Sequence, residues 1–273
     1  MTYTVSDACT MDKTYEGNTL TPREREELQN DLIAFCDHEL DLLGDIRGLG
    51  VLYAGGSSPL WIEGLSQRIG GGGTLVAIDL DAERVAETRA SLGEAELTAP
   101  VRLLADDIFA MPFGPDSFDL VYSSGLFHEL VVKEKGAEDA LVALRSVVRS
   151  GGRVVTADFV ASEPAVQLEE EELEAEMRRA AYGSEIYGVG TPERLISLHR
   201  GLLRDVRWSV SPPREIRHLW KLVLAEEEPT MLPPLPDEVA LRLRERRRKL
   251  RDRILKEGYT RPATLYVEGL KGF

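Results

Sequence analysis

Cysteine is nearly absent from this chain. Only Cys9 and Cys36 occur among 273 residues. That excludes a disulfide framework and a thiol-rich metal site, and it suits a reducing, cytoplasmic compartment. Histidine is almost as scarce: His38, His128, His199 and His218 are scattered, with no pair at the i, i+4 spacing of a helical metal site. No metal site is therefore expected. No apolar run approaches the roughly 20 residues that cross a bilayer, so no membrane span is expected. Met1-Thr2-Tyr3-Thr4 has neither a basic nor an apolar region, so a signal peptide is not expected. There is no Ser-centred nucleophile elbow and no phosphate-cradling Gly-Lys-Ser/Thr loop. Positive charge is the minority sign, 33 Lys and Arg against 47 Asp and Glu, for a net −14. Nucleic acid repels such a surface, which argues against RNA or DNA as substrate, although the balance reads equally well as a device for solubility.

What is present is an alternation of strands and helices. Residues 1–20 are polar and aperiodic and read as an arm. Thr21-Pro22-Arg23-Glu24 starts a helix, with Thr21 as N-cap, Pro22 at the first helical position and Glu24 closing a capping box. That helix runs to about Leu43, with Leu28, Leu32, Phe35, Leu40 and Leu43 on its apolar side. Short apolar strands follow at 51–54, 75–78, 101–104, 118–122 and 153–159, the last after a Gly151-Gly152 turn. Ser58-Pro59 and Asp81 start the first two intervening helices, and residues 137–148 form a third. The pattern predicts an α/β fold: a Rossmann-like, doubly wound, mostly parallel sheet of seven strands. Residues 1–45 read as an N-terminal arm and helix, and 46–273 as the domain, with helical insertions near 162–204 and 230–258. Within these, 164–181 reads as an acidic helix, 191–203 as a capped helix, 231–236 as a stiff linker and 237–256 as a basic helix. Strands are expected at 206–210 and 264–268.

The crevice at the strand C-termini is where such a sheet takes a ligand. Gly55-Gly56-Ser57-Ser58-Pro59 follows the first strand, and its glycines allow close approach to the backbone near a helix N-terminus. It also reads as an ordinary tight turn. Asp79 ends the second strand, where a carboxylate can accept from both ribose hydroxyls of a nucleoside; Leu80 follows it. Asp81 is better explained as a helix cap. Asp106, after the third strand, is placed to accept from an adenine amino group. Asp107 shares that contact or caps a turn, and Ile108 packs on the adenine or in the core. Ser123 and then His128-Glu129 follow the fourth strand. His128 reads as a general base or as a packing residue.

The stretch Ala105-Asp106-Asp107-Ile108-Phe109-Ala110-Met111-Pro112-Phe113, followed by the strand opening Phe118-Asp119-Leu120-Val121, resembles the class I S-adenosylmethionine-dependent methyltransferases. The resemblance covers about residues 48–160 and is strongest to the small-molecule branch that includes the ubiquinone and menaquinone C-methyltransferases. It implies S-adenosylmethionine as cofactor, S-adenosylhomocysteine as product, and a small molecule methylated at oxygen, nitrogen or carbon. It places Tyr53, Gly55, Gly56 and Ser57 in the family's glycine-rich motif, the ribose acid at Asp79 and the adenine acid at Asp106. Two departures stand out. Tyr53 occupies the place of the motif's usual acid, and Ser57 and Pro59 take the places of its later glycines. Two other readings compete: a nicotinamide-dependent oxidoreductase, which lacks its Gly-x-Gly-x-x-Gly here, and a non-catalytic binding protein on the same fold. Tyr15, Tyr182 and Tyr187 are candidates for a lid over the crevice. The basic run Arg246-Arg247-Arg248-Lys249 reads as the partner of the acidic stretch 169–176, within one chain or across a homodimer, or as a solvated face; an acidic substrate, nucleic acid or a partner's acidic helix is the competing reading.

Overall fold

A computed structural model describes residues 20–93, 95–132, 136–160, 165–183, 185–186, 190–223 and 235–272. The arm at 1–19, most of the 231–236 linker, and Tyr15 and Tyr187 lie outside the described residues, as does the side chain of Tyr182.

In chain order the elements are α1 (Pro22–Asp41), β1 (Gly50–Ala54), α2 (Pro59–Ile69), β2 (Thr74–Asp79), α3 (Ala82–Leu92), β3 (Val101–Ala105), β4 (Phe118–Ser124) and β5 (Val131–Val132). Then come α4 (Ala137–Val147), β6 (Val148–Val160), α5 (Ala165–Tyr182), β7 (Glu185–Ile186), α6 (Pro192–Leu202) and β8 (Arg204–Ser211). The chain closes with β9 (Arg214–Glu215), α7 (Leu219–Val223), α8 (Asp237–Glu257), β10 (Thr260–Arg261) and β11 (Ala263–Leu270). The four two-residue strands and α7 carry too little periodicity to be read from sequence.

Seven strands form one sheet in the order β3-β2-β1-β4-β6-β11-β8. The pairs from β3 to β6 are parallel, and β11 runs antiparallel to both its neighbours. The fold is therefore the expected α/β one. The strand order reverses between β1 and β4, which sets the crevice at their C-terminal ends. Leu52, Val121 and Val154 on adjacent strands are fully buried, as strands covered on both faces require.

Helix α1 begins with the capping box read from the sequence: Thr21 Oγ1 accepts from the Glu24 N–H, and Glu24 accepts from the Thr21 N–H. Its face of Leu28, Leu32, Phe35 and Leu40 packs with Trp61, Ile62 and Leu65 of α2 on one side of the sheet. Each such side chain, fully buried, contributes roughly 1.5–3 kcal/mol. The opposite face of the sheet is covered by α4 and α6 through Leu141, Leu144, Leu195 and Ile196.

Two local expectations are corrected. Gly151-Gly152 lies inside β6 rather than before it: pairing with β4 slips between Phe118↔Val148 and Leu120↔Arg153, a bulge that absorbs the glycines. A Cβ on Gly152 would stand 2.8 Å from the Asp119 carbonyl oxygen, so only glycine lets the strands meet there. Ser58 stands at the N-cap of α2 without a side-chain cap bond, and its buried hydroxyl has no partner among the described residues. The Asp119 of the Phe-Asp strand is an anchor: Oδ2 accepts from the Gly50 N–H at 2.7 Å, tying the start of β1 to β4.

Helices α5 and α8 pack together, and the acidic and basic runs meet within one chain. Glu176 pairs with Arg242 at 2.7 Å and with Arg246, and Glu169 pairs with Arg253.

Candidate functional site

The loops after β1 and β4 meet at the switch point. Gly55 has φ +72°, and a Cβ there would come within 2.5 Å of Leu126 Cδ1, so this glycine serves both backbone geometry and close approach. The N–H groups of Gly55 and Gly56 both donate to the Ile78 carbonyl, which pins the loop to the end of β2. Tyr53 is a core residue beneath that loop. It is 3% exposed, its ring stacks on Tyr122 with centroids 5.7 Å apart, and a Cβ on Gly56 would collide with it. Burial holds its phenol far above the ordinary range, so it carries no charge in place of the family's acid.

Ser57 ties the loop to the neighbouring strand end and to α3. Its Oγ donates to Asp79 Oδ2 at 2.9 Å, and its carbonyl accepts from Thr88 Oγ1. Asp79 Oδ1 accepts from the Asp81 N–H at 2.9 Å. A carboxylate has about four acceptor sites, so Asp79 is fixed in place with acceptor capacity left. Asp81 caps α3 through the Glu83 and Arg84 N–H groups. The two acids thus divide into a positioned acceptor and a cap, as their spacing implied. Leu80 is 76% exposed beside Asp79, an uncovered apolar side chain at the crevice edge.

At the end of β3, Asp106 Oδ1 accepts from the Asp107 N–H, and Asp107 caps a one-turn helix at 108–110 through the Phe109 N–H. Ile108 is buried there. Ser123 is 1% exposed on β4, and its hydroxyl has no partner among the described residues.

The strongest polar geometry lies beyond β4. His128 donates Nδ1–H to Asp158 Oδ1 at 2.7 Å, and both side chains are 3% exposed. Asp158 Oδ2 also accepts from the Phe127 N–H at 2.6 Å, and Oδ1 accepts from the Phe159 N–H. With Nδ1 protonated toward Asp158, Nε2 is left as the second ring nitrogen. It is buried without a partner among the described residues, 3.9 Å from Glu129 Oε1. Burial alone would push the imidazole down. The charge and hydrogen bond of Asp158 outweigh it and raise the His128 pKa to about 9.

Beside this pair, Glu39 of α1 is 2% exposed and accepts from Ser124 Oγ at 3.1 Å. Burial raises its carboxyl to about 7, against the opposing pull of Ser124, Arg261 and Thr264. Asp158, Glu39 and Arg261 were not singled out from the sequence. Asp158 had a signal: it is a lone acid near the end of an apolar strand, as Asp79 is. Glu39 had one too, since it falls four residues after Phe35 on the helix's apolar side. Arg261, in Thr260-Arg261-Pro262, had none.

A methyltransferase-domain family model matches residues 51–152, the segment from β1 to the β6 bulge. The ubiquinone/menaquinone biosynthesis C-methyltransferase UbiE of Idiomarina loihiensis is 29% identical over 140 residues, covering 49% of this chain and 54% of that one. The demethylmenaquinone methyltransferase of Lactococcus lactis is 29% identical over 136 residues, covering 46% and 50%. The chain thus spans about half the length of the curated relatives it matches. Among solved structures, the YcgJ protein of Bacillus subtilis aligns with a TM-score of 0.55 at 14% identity, over 88% of this chain and 99% of that one. A putative sarcosine dimethylglycine methyltransferase from Galdieria sulphuraria aligns at 0.53 with 14% identity, over 90% and 86%. Sequence motifs, strand order and family match agree that residues 51–152 are similar to a methyltransferase domain, on a sheet of the kind its structural neighbours share.

Proposed function

We propose that this protein transfers a methyl group from S-adenosylmethionine to a small-molecule acceptor, with His128 as the base. The observation that carries the reading is the fixed Asp79–Ser57 pair at the switch point, on the same sheet edge as the His128–Asp158 pair.

The residues present fit the cofactor. Asp79 keeps lone pairs for ribose hydroxyls. Leu80, Ile108 and the Asp106-Asp107 turn suit an adenine. The hydroxyls of Ser58 and Ser123, without a partner among the described residues, and the loop of Gly55, Gly56 and Ser57 above Tyr53 suit the polar amino-acid end. When bound, the sulfonium supplies a methyl carbon already activated for in-line displacement. The chain's remaining work is to align the acceptor, exclude water and accept a proton.

His128 meets the last requirement. Nε2 takes the proton of the attacking O–H, N–H or C–H group while Asp158 holds the resulting imidazolium. A base raised to about 9 is mostly protonated at neutral pH, so kcat/KM is expected to climb with pH until that range. The sheet-edge crevice and a net charge of −14 favour a small acceptor over nucleic acid. The methyltransferase-domain match over residues 51–152 and the absence of a Gly-x-Gly-x-x-Gly after β1 weigh against the nicotinamide reading.

The test is transfer of a labelled methyl from S-adenosylmethionine into fractionated cell extract. Label in the low-molecular-mass fraction, lost with Asp79→Ala, is the expected result. Label confined to RNA or protein, or none at all, would reject the proposal.

A further inference from the structure

The guanidinium of Arg261 is buried with little compensation among the described residues. Arg261 is 5% exposed, and its Nε has no hydrogen-bond partner among the described residues. No carboxylate among them stands within ion-pair distance of it. Its close neighbours are two ring faces, Phe159 at 4.5 Å and Phe35 at 5.3 Å from the guanidinium carbon. Glu39 feels its charge but does not bond it. Across the short β9–β10 ribbon the residue opposite Arg261 is Arg214, a like charge where an opposite one would stabilise. Two aromatic faces return only part of the solvation that a buried guanidinium gives up. They also leave the planar fork of N–H donors at the edge, the geometry that grips a carboxylate with two parallel bonds.

The position matters as much as the charge. β10 leads into β11, whose first residues pair with Phe159 and Val160 at the C-terminal end of β6. Arg261 therefore lies at the same sheet edge as the base. Phe159 touches both: its ring is 5.0 Å from that of His128 and 4.5 Å from the Arg261 guanidinium. Both groups lie within reach of one small molecule.

We propose that Arg261 anchors a carboxylate of the methyl acceptor, so that the substrates of this enzyme are monoanionic carboxylic acids whose nucleophile is presented to His128. The inference rests on the methyltransferase reading of the same crevice. A monoanion is favoured over a phosphate dianion because Asp158 and Glu129 already place carboxylates beside His128.

The test uses the full chain, saturated with S-adenosylhomocysteine, in thermal denaturation at constant ionic strength. The probes are benzoate and acetate, their uncharged counterparts benzamide and acetamide, and inorganic phosphate. The expected result is saturable stabilisation by a carboxylate and none by its amide. Arg261→Met should weaken the apparent carboxylate affinity at least tenfold, and Arg261→Lys, which keeps the charge without the fork, should weaken it less. The proposal is overturned if amides match carboxylates, if only phosphate stabilises, or if either folded variant responds as wild type does. It is also overturned if Arg261→Met weakens S-adenosylhomocysteine itself, since the anchored anion would then be the cofactor's own. Failure of S-adenosylhomocysteine to bind the wild type strikes the cofactor reading instead, and an Arg261-dependent carboxylate response would stand apart from it.

Discussion

Replacing Asp158 by Asn should collapse the basicity of His128. Asp158 accepts from the imidazole Nδ1–H and from the N–H groups of Phe127 and Phe159. It is the main group opposing the burial that pushes the imidazole down. In wild type the balance ends at about 9, above the ordinary 6.5. At about 1.4 kcal/mol per pH unit, that difference is roughly 3 kcal/mol of preference for the imidazolium. Asparagine removes the charge and keeps one acceptor oxygen, so the midpoint should fall to 6.5 or below. The assay is proton NMR of the imidazole Cε1–H across pH 5–10, with His128→Gln assigning the resonance among the four histidines. It needs no substrate. A wild-type midpoint near 6.5, or one unmoved by Asp158→Asn in a folded variant, would refute the account of this pair.

Other outcomes follow from the same geometry. A folded pKa raised above the unfolded value means stability that is full below pH 6.5 and lost as pH rises through about 9; urea denaturation of wild type should show that slope, and His128→Gln should flatten it. Glu39 is raised to about 7, so its share is full below pH 4.5 and lost as pH rises through 7; Glu39→Gln should reduce the slope in that window. Gly55→Ala forces a side chain into positive φ and against Leu126, and should cost about 1–3 kcal/mol in chemical denaturation along with weaker S-adenosylhomocysteine binding. Glu176→Ala breaks pairs to Arg242 and Arg246 that are partly solvated, and should cost no more than about 1 kcal/mol, an effect that fades in high salt.

The sheet was legible because each parallel strand, covered on both faces, is a short apolar run between turn signals. β1 to β4 stand within a residue or two of where Val51, Leu75, Val101 and Phe118 put them. The antiparallel insertion of β11 between β6 and β8 was not legible, because 264–268 declares a strand but not its neighbours. Asp81 was legible as the cap of α3 because it stands immediately before the first helical residue. Tyr53 was harder: one position in a motif does not say that its ring turns down against Tyr122 instead of out to the crevice. Asp158 and Arg261 act through contacts 30 residues away or more, which no local pattern encodes. The partnership of the acidic and basic runs was legible from charge alone, and its placement between α5 and α8 needed the fold.

The most direct measurement is calorimetric titration of the full chain with S-adenosylhomocysteine, beside NAD and beside the Asp79→Ala variant. Saturable binding of S-adenosylhomocysteine, lost in the variant, and none of NAD is the expected result. Binding of NAD alone, or S-adenosylhomocysteine binding indifferent to Asp79, would contradict it.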